Sequence, residues 1–348
     1  MIGRRPLKRL TRYIASRMLS KTVILLYHRV NSLPNDPQKL CVSPSNFDAH
    51  LSIIKKHYYP ISLQRLCNDI KCKKVVNNGV VITFDDGYAD NFFNAKPILE
   101  KYNMPATVFT VADWVNSQRE FFWDDLFRIL ITTPDLPKYL EIEINKKKHA
   151  WDLSDHCESK LETSISQPTS MWDVEQVDDP TPKHRIYREL CQIIRDLDPN
   201  SRERVLNDLC IWAGIKRIGR TEQQTLRIDE LTTLEDSGLI KVGAHTLSHS
   251  LLSKLPLDEQ RYEIFESKQK LERLIGHSVS SFSYPWGGHN DYNETSIKLV
   301  KEVGFNCSCS NFPGVINRWS DPFQLPRFIV RDWNGEEFEQ QLHNFFSL

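Results

Sequence analysis

Short apolar runs recur along the chain, separated by longer segments with helical spacing. The runs at 22–27, 80–85, 106–111, 240–245, 279–284, 305–310 and 325–330 are rich in β-branched, leucine and aromatic residues and have the length of strands. Segments 47–57, 91–102, 257–275, 294–303 and 335–346 place apolar residues three and four apart, the spacing of amphipathic helices. Such alternation predicts a parallel sheet with helices outside it. Seven strands suit a distorted barrel, although spacing alone leaves an open sheet in play. Between 113 and 225 the rhythm stops. Residues 121–130 read as a helix with one apolar side, 151–182 are polar and rich in Asp, Ser and Thr, and 185–213 read as helix again. The reading is a basic helix over 1–21 and a barrel over 22–348, interrupted by a helical insertion at 113–225. On the rim the insertion is expected to act as a lid or acceptor-binding surface, with Trp123 and Trp151 alternatively as core anchors.

Two of the runs end in chemistry-bearing residues. The run from Gly79 leads into Asp85-Asp86-Gly87, and the run from Ile240 leads into His245-Thr246-Leu247-Ser248-His249. Strand ends are where α/β folds keep their sites. Singly, Asp-Asp after a strand reads as a cap or turn, and His-x-x-x-His as a surface pair. Jointly, one carboxylate and two imidazoles make the three-ligand set of a catalytic zinc-type centre with a position left open. If the chain turned helical after Thr246, the two histidines would share a face.

These residues resemble the NodB-type polysaccharide deacetylases of carbohydrate esterase family 4. Thr83 to Gly87 match the family's T-F-D-D-G motif, and His245, Thr246 and His249 match H-[S/T]-x-x-H. Phe282-Ser283-Tyr284-Pro285-Trp286-Gly287 looks like the third motif, F-R-P-P-Y-G, without its arginine. Val23 to His28 ends in L-Y-H, which looks like the acid-bearing motif, placed first as in the permuted biofilm-polysaccharide deacetylases. The late match Leu342-His343 falls in an amphipathic helix and is set aside. The likeness covers about residues 22–112 and 226–332.

The resemblance implies a distorted (β/α)7-type barrel that hydrolyses N-acetyl groups on a sugar of a polysaccharide or glycan precursor, a lipid-linked sugar included. Asp85 would be the general base and His28 the acid. Asp86, His245 and His249 would hold a divalent metal, Zn2+ foremost, with Co2+, Mn2+ or Ni2+ as alternatives. A backbone N–H near Trp286 would face the oxyanion, and Tyr284, Pro285 and Trp286 would wall the substrate. For the missing arginine, Arg327 and Arg331 border the site after the last strand; four apart on a strand they share a face, and either could grip Asp85 with a bidentate pair. Two other classes stand beside this one. A catalytically impaired metal- or carbohydrate-binding protein on the same fold would explain the degraded third motif. A glycoside hydrolase needs two carboxylates roughly 5–9.5 Å apart across the bond, which suits neighbouring residues poorly and leaves the histidines idle.

Composition adds boundaries. The 348 residues, 40% hydrophobic, can bury a large core, and 45 basic against 45 acidic residues leave no nucleic-acid footprint. Eight cysteines match no zinc-ribbon spacing; Cys307 and Cys309 share a strand face and are expected to pack. Residues 1–21 carry seven basic side chains and no acid, with Leu7, Leu10, Ile14 and Met18 near helical spacing. Such a helix packs on the barrel or rests on an anionic membrane surface. Without a signal-peptide pattern or a spanning run, and with unpaired thiols, the expected place is the cytoplasm, with peripheral contact at the inner face of the membrane.

Overall fold

The computed structural model describes residues 20–117, 119–154 and 172–348. The predicted helix over 1–21 therefore lies outside the described residues, apart from its last two. Among the described residues no helix is long and apolar enough to cross a membrane.

Seven parallel strands form the frame: β1 (Thr22–Tyr27), β2 (Gly79–Phe84), β3 (Ala106–Thr110), β4 (Ile240–Ala244), β5 (Ser281–Ser283), β6 (Cys307–Cys309) and β7 (Phe328–Ile329). Their order across the sheet is β6-β5-β4-β3-β2-β1-β7, and an eighth, two-residue strand at Tyr59–Pro60 pairs in parallel with β2. A parallel bridge between Cys309 and Leu325 brings β6 back to the segment that feeds β7, so the sheet curls into a distorted barrel. Strand positions divide by parity. Ile24, Val81, Phe109, Cys307 and Cys309 share one apolar cluster. Val23, Leu25, Tyr27, Val80, Ile82, Phe84 and Val108 join another with residues of the surrounding helices. Burial on both faces is why these strands read as continuous apolar runs rather than as alternation.

Outside lie α1 (Pro44–His57), α2 (Leu63–Lys71) and α3 (Lys96–Tyr102), the last preceded by a π-helical turn at Asn91–Ala95. The predicted insertion supplies α4 (Phe122–Phe127), α5 (Pro182–Arg195) and α6 (Pro199–Trp212), and the barrel resumes with α7 (Ile228–Leu234), α8 (Leu257–Ile275), α9 (Glu294–Glu302) and α10 (Gly335–Ser347). Local chemistry sets the ends. Asn334 and Glu337 bond each other's backbone at the start of α10, and Gly276, at φ 79°, terminates α8 in the left-handed conformation.

The insertion is not helical throughout. Tyr139–Ile144 and Lys147–Asp152 pair as an antiparallel hairpin, whose first strand alternates exposed and buried positions. Leu140, Ile142 and Ile144 bury one face against Tyr187, Leu190, Leu206 and Leu209 in a second core, distinct from the barrel's. That core reaches the rim through Tyr88, Trp123 and the partly buried Trp286.

Candidate active site

Strand register brings the site together. Tyr27 pairs with Phe84 at the ends of β1 and β2, so His28 and Asp85 follow side by side, and the Asp85 amide bonds Tyr27 O at 3.0 Å. Beyond Asp85 the backbone turns sharply, with Asp86 at φ 72° and Gly87 at φ 76°. A side chain at Gly87 would also meet Thr110, since its Cβ would stand 2.9 Å from Thr110 Cγ2. Glycine is needed there for both reasons.

After β4 the chain does not turn helical. His245 to Ser250 form an irregular loop in which Thr246 (φ 61°) and His249 (φ 60°) are left-handed. A β-branched residue in that region is strained. The loop is held by Glu263, whose carboxylate accepts from the Leu247 and Ser248 amides at 3.0 and 2.9 Å, and by Thr246 Oγ1, which accepts from the His249 amide at 3.0 Å. The histidines still converge, through backbone strain rather than helical pitch.

His245 Nε2 and His249 Nε2 lie 3.7 and 3.3 Å from Asp86 Oδ1, and donor atoms of the three residues fall within 4.8 Å of one another. His245 Nδ1 is 2.8 Å from Ser283 O. A carbonyl only accepts, so Nδ1 carries the proton and Nε2 keeps its lone pair, the arrangement that orients metal-binding imidazoles. Burial lowers the pKa of both rings, that of His249 to about 3. Phe121, Trp123 and Trp286 surround the His249 ring at centroid distances of 5.9, 5.4 and 5.2 Å.

The two carboxylates differ. Burial opposes ionisation of Asp85, but Arg327, helped by His245 and His28, outweighs it and holds the carboxyl well below the usual range. Arg327, 1% exposed, grips both oxygens at 2.7 and 2.6 Å and also bonds Ser310 O at 2.7 Å. Ser283, standing where the family motif has arginine, completes the clamp: its Oγ donates to Asp85 Oδ2 at 3.1 Å and accepts from Arg327 at 2.9 Å. For Asp86 burial wins and raises the pKa despite His28 and His245. An uncompensated carboxylate facing two imidazoles, beside a carboxylate compensated by arginine, is a donor set that fits a divalent cation.

His28, Asp85, Asp86, His245, His249, Trp286 and Arg331 all border one cavity of about 270 Å³. Other expected positions require correction. Tyr284 is fully buried, stacked on Tyr292 at 4.0 Å with its hydroxyl donating to Phe323 O, and so belongs to the core. Pro285 is buried and does not border the cavity. Arg327 is buried against Asp85 and does not border the cavity. Arg331 lies on the rim, bonded to Lys39 O at 2.6 Å and paired with Glu175, and does not reach Asp85. His343 is exposed on α10, away from this cavity. Sequence reasoning missed Ser283, although its place in the third motif was a signal, and Gln38 and Glu175, which carried none.

The polysaccharide deacetylase family profile matches residues 73–191 and 215–308. The chain belongs to the polysaccharide deacetylase family. Among solved structures, the Streptococcus pyogenes deacetylase PplD in complex with acetate superposes with a TM-score of 0.57 at 16% identity, covering 93% of this chain and 99% of that one. IcaB from Ammonifex degensii gives 0.55 at 16% identity, covering 94% and 97%. At such identity the likeness carries the fold. YxkH of Bacillus subtilis (strain 168), which bears a polysaccharide-deacetylase name, is 34% identical over 101 residues, 28% of this chain. That match spans 35% of the relative.

Proposed function

We propose that the protein removes N-acetyl groups from an N-acetylated glycan or lipid-linked sugar in a metal-dependent hydrolysis. One observation carries the reading: a carboxylate clamped by a buried arginine stands beside an Asp-His-His donor set in a single cavity. Asp86, His245 and His249 would hold the ion, Zn2+ foremost. When bound, it supplies Lewis acidity toward the acetyl carbonyl and makes water more acidic. Asp85, kept ionised by Arg327, takes the proton of the attacking water. A backbone N–H near Trp286 faces the developing oxyanion. The leaving nitrogen must be protonated, because an amide anion is far too basic to depart. His28 would give that proton as imidazolium; burial lowers its pKa, whereas the facing Asp86 and Asp85 favour the charged ring that has a proton to give.

A glycosidase reading fits less well. Asp85 is locked to Arg327 and Asp86 faces two imidazoles, so neither is placed as a free acid across a glycosidic bond. The test is acetate release, read by mass, from a panel of N-acetylated glycans. Acetate from at least one member supports the reading; none from protein carrying its metal overturns it and favours the impaired, binding-only alternative.

A further inference from the structure

We infer that Arg202, supplied by the insertion, is a positioning residue for the metal centre: with Glu263 it clamps the His245–Ser250 loop and sets where His249 stands. The inference rests on the reading of Asp86, His245 and His249 as metal ligands, and not on any substrate.

The two histidines are held differently. The His245 ring is fixed by its own Nδ1, 2.8 Å from Ser283 O. His249 Nδ1 is buried with no partner among the described residues. The His249 ring therefore takes its orientation from the backbone that carries it and from the aromatic rings around it, of which Phe121 and Trp123 belong to the insertion. That backbone does not hold its shape alone. Thr246 and His249 are both left-handed, a conformation that persists in such residues only where surrounding groups impose it.

Arg202 imposes it from one side. Near the start of α6 and 3% exposed, it donates from Nη1 to Ser248 O at 3.3 Å and His249 O at 3.5 Å, and from Nη2 to Leu197 O at 3.4 Å. Its Nε has no partner among the described residues, so the two terminal nitrogens make the contact. The guanidinium lies 5.2 Å over the Phe122 ring. Burial lowers its pKa to about 10, opposed by Glu263, Glu203 and Asp198, so it is charged at neutral pH. Apolar packing needs no cation here, and a buried guanidinium is costly unless its donors are met. What meets them is the ligand loop. Glu263, on α8, acts from the other side by accepting from the Leu247 and Ser248 amides. Loop amides point to the carboxylate and loop carbonyls to the guanidinium, so charge-assisted bonds hold the segment from both ends of its peptide dipoles.

The test measures zinc affinity by chelator competition, and coordination by the visible spectrum of cobalt-loaded protein. Wild type, Arg202→Met and Arg202→Lys are compared, each also combined with His249→Ala. Arg202→Met should weaken zinc about 10- to 100-fold, the range for losing a group that orients a ligand, and should alter the cobalt spectrum. The sign is informative. Removing a cation near the site would by itself strengthen binding of another cation, so weakening reports geometry. Arg202→Lys keeps charge and donors and should recover part of the affinity. If Arg202 acts through His249, Arg202→Met should change zinc affinity by less than about twofold in the His249→Ala background. An unchanged affinity and spectrum in folded Arg202→Met, or an equal loss with and without His249, would overturn the inference. Should Arg202→Met fail to fold, Arg202→Gln, too short to span both carbonyls, carries the same cycle with the same outcomes. Wild type that binds zinc without releasing acetate would sink the proposed reaction and leave the clamp standing. Wild type that takes up neither zinc nor cobalt would sink the metal reading and the clamp with it.

Discussion

Asp85 and Asp86 are neighbours in opposite electrostatic settings, and what separates them is one arginine. Arg327→Met should leave Asp85 buried without its partner, raising its pKa from well below the usual carboxylate range. The sign follows: the base is ionised above its pKa, so the acid limb of the kcat/KM profile moves to higher pH, with turnover reduced at neutral pH. An unpaired buried carboxylate also costs on the order of 3–5 kcal/mol, measurable as a lower urea midpoint. An unmoved acid limb in a folded variant would remove Arg327 from this role. The second residue-scale prediction separates base from ligand. Asp85→Asn should keep its metal and lose turnover, whereas Asp86→Asn should lose the metal, as read by elemental analysis of the purified variants. Equal metal loss in both would mean the two roles are wrongly divided. Why Arg327 rather than Arg331 could not be read beforehand is a matter of length. β7 is just Phe328–Ile329, so the rule that residues four apart share a strand face ends before Arg331.

Among elements, the barrel strands were legible because burial on both faces leaves a plain signature, an apolar run bounded by turn residues. The His245–His249 loop was not, because its course depends on left-handed residues and on Glu263, which is distant in sequence. The hairpin at 139–152 does carry a signal, alternation over Tyr139-Leu140-Glu141-Ile142-Glu143-Ile144, but the signal is short and lies between segments with helical spacing. One packing feature of α1 and α10 has a measurable consequence. His50 on α1 stacks on Phe338 at 3.9 Å, and its Nε2 lies 2.7 Å from Trp333 O, so Nε2 donates and Nδ1 accepts from Tyr27 OH. Burial, partly opposed by Trp333 O and Asp332, lowers its pKa to about 4. Above pH 6.5 the ring is neutral whether folded or not. As pH falls from 6.5 toward 4, the unfolded chain takes a proton that the fold refuses, and roughly 3 kcal/mol of stability is lost. His50→Gln keeps a donor for Trp333 O without the titration, so its urea midpoint should fall less than the wild type's across that interval. Parallel falls would assign the acid sensitivity elsewhere.

At the scale of the whole molecule, two cores meet on one rim, the barrel bringing His28, Asp85, Asp86, His245 and His249, the insertion bringing Trp123. The proposed role of His28 as an acid placed early in the chain is the part of this account most open to direct attack. His28→Ala should lose on the order of 10²- to 10⁴-fold in rate with its metal retained, and aryl acetate esters, which need less protonation on departure, should rescue it more than Asp85→Asn. His343→Ala, on α10, should match wild type; the reverse pattern would refute the permuted order. The most direct test of the central claim is acetate release from an N-acetylated glycan by chelator-treated protein, before and after zinc is added back, with His249→Ala alongside. Release should vanish with the metal and return with zinc in wild type, while His249→Ala stays inactive and metal-poor. Undiminished release from protein that elemental analysis finds free of divalent ions would contradict the account.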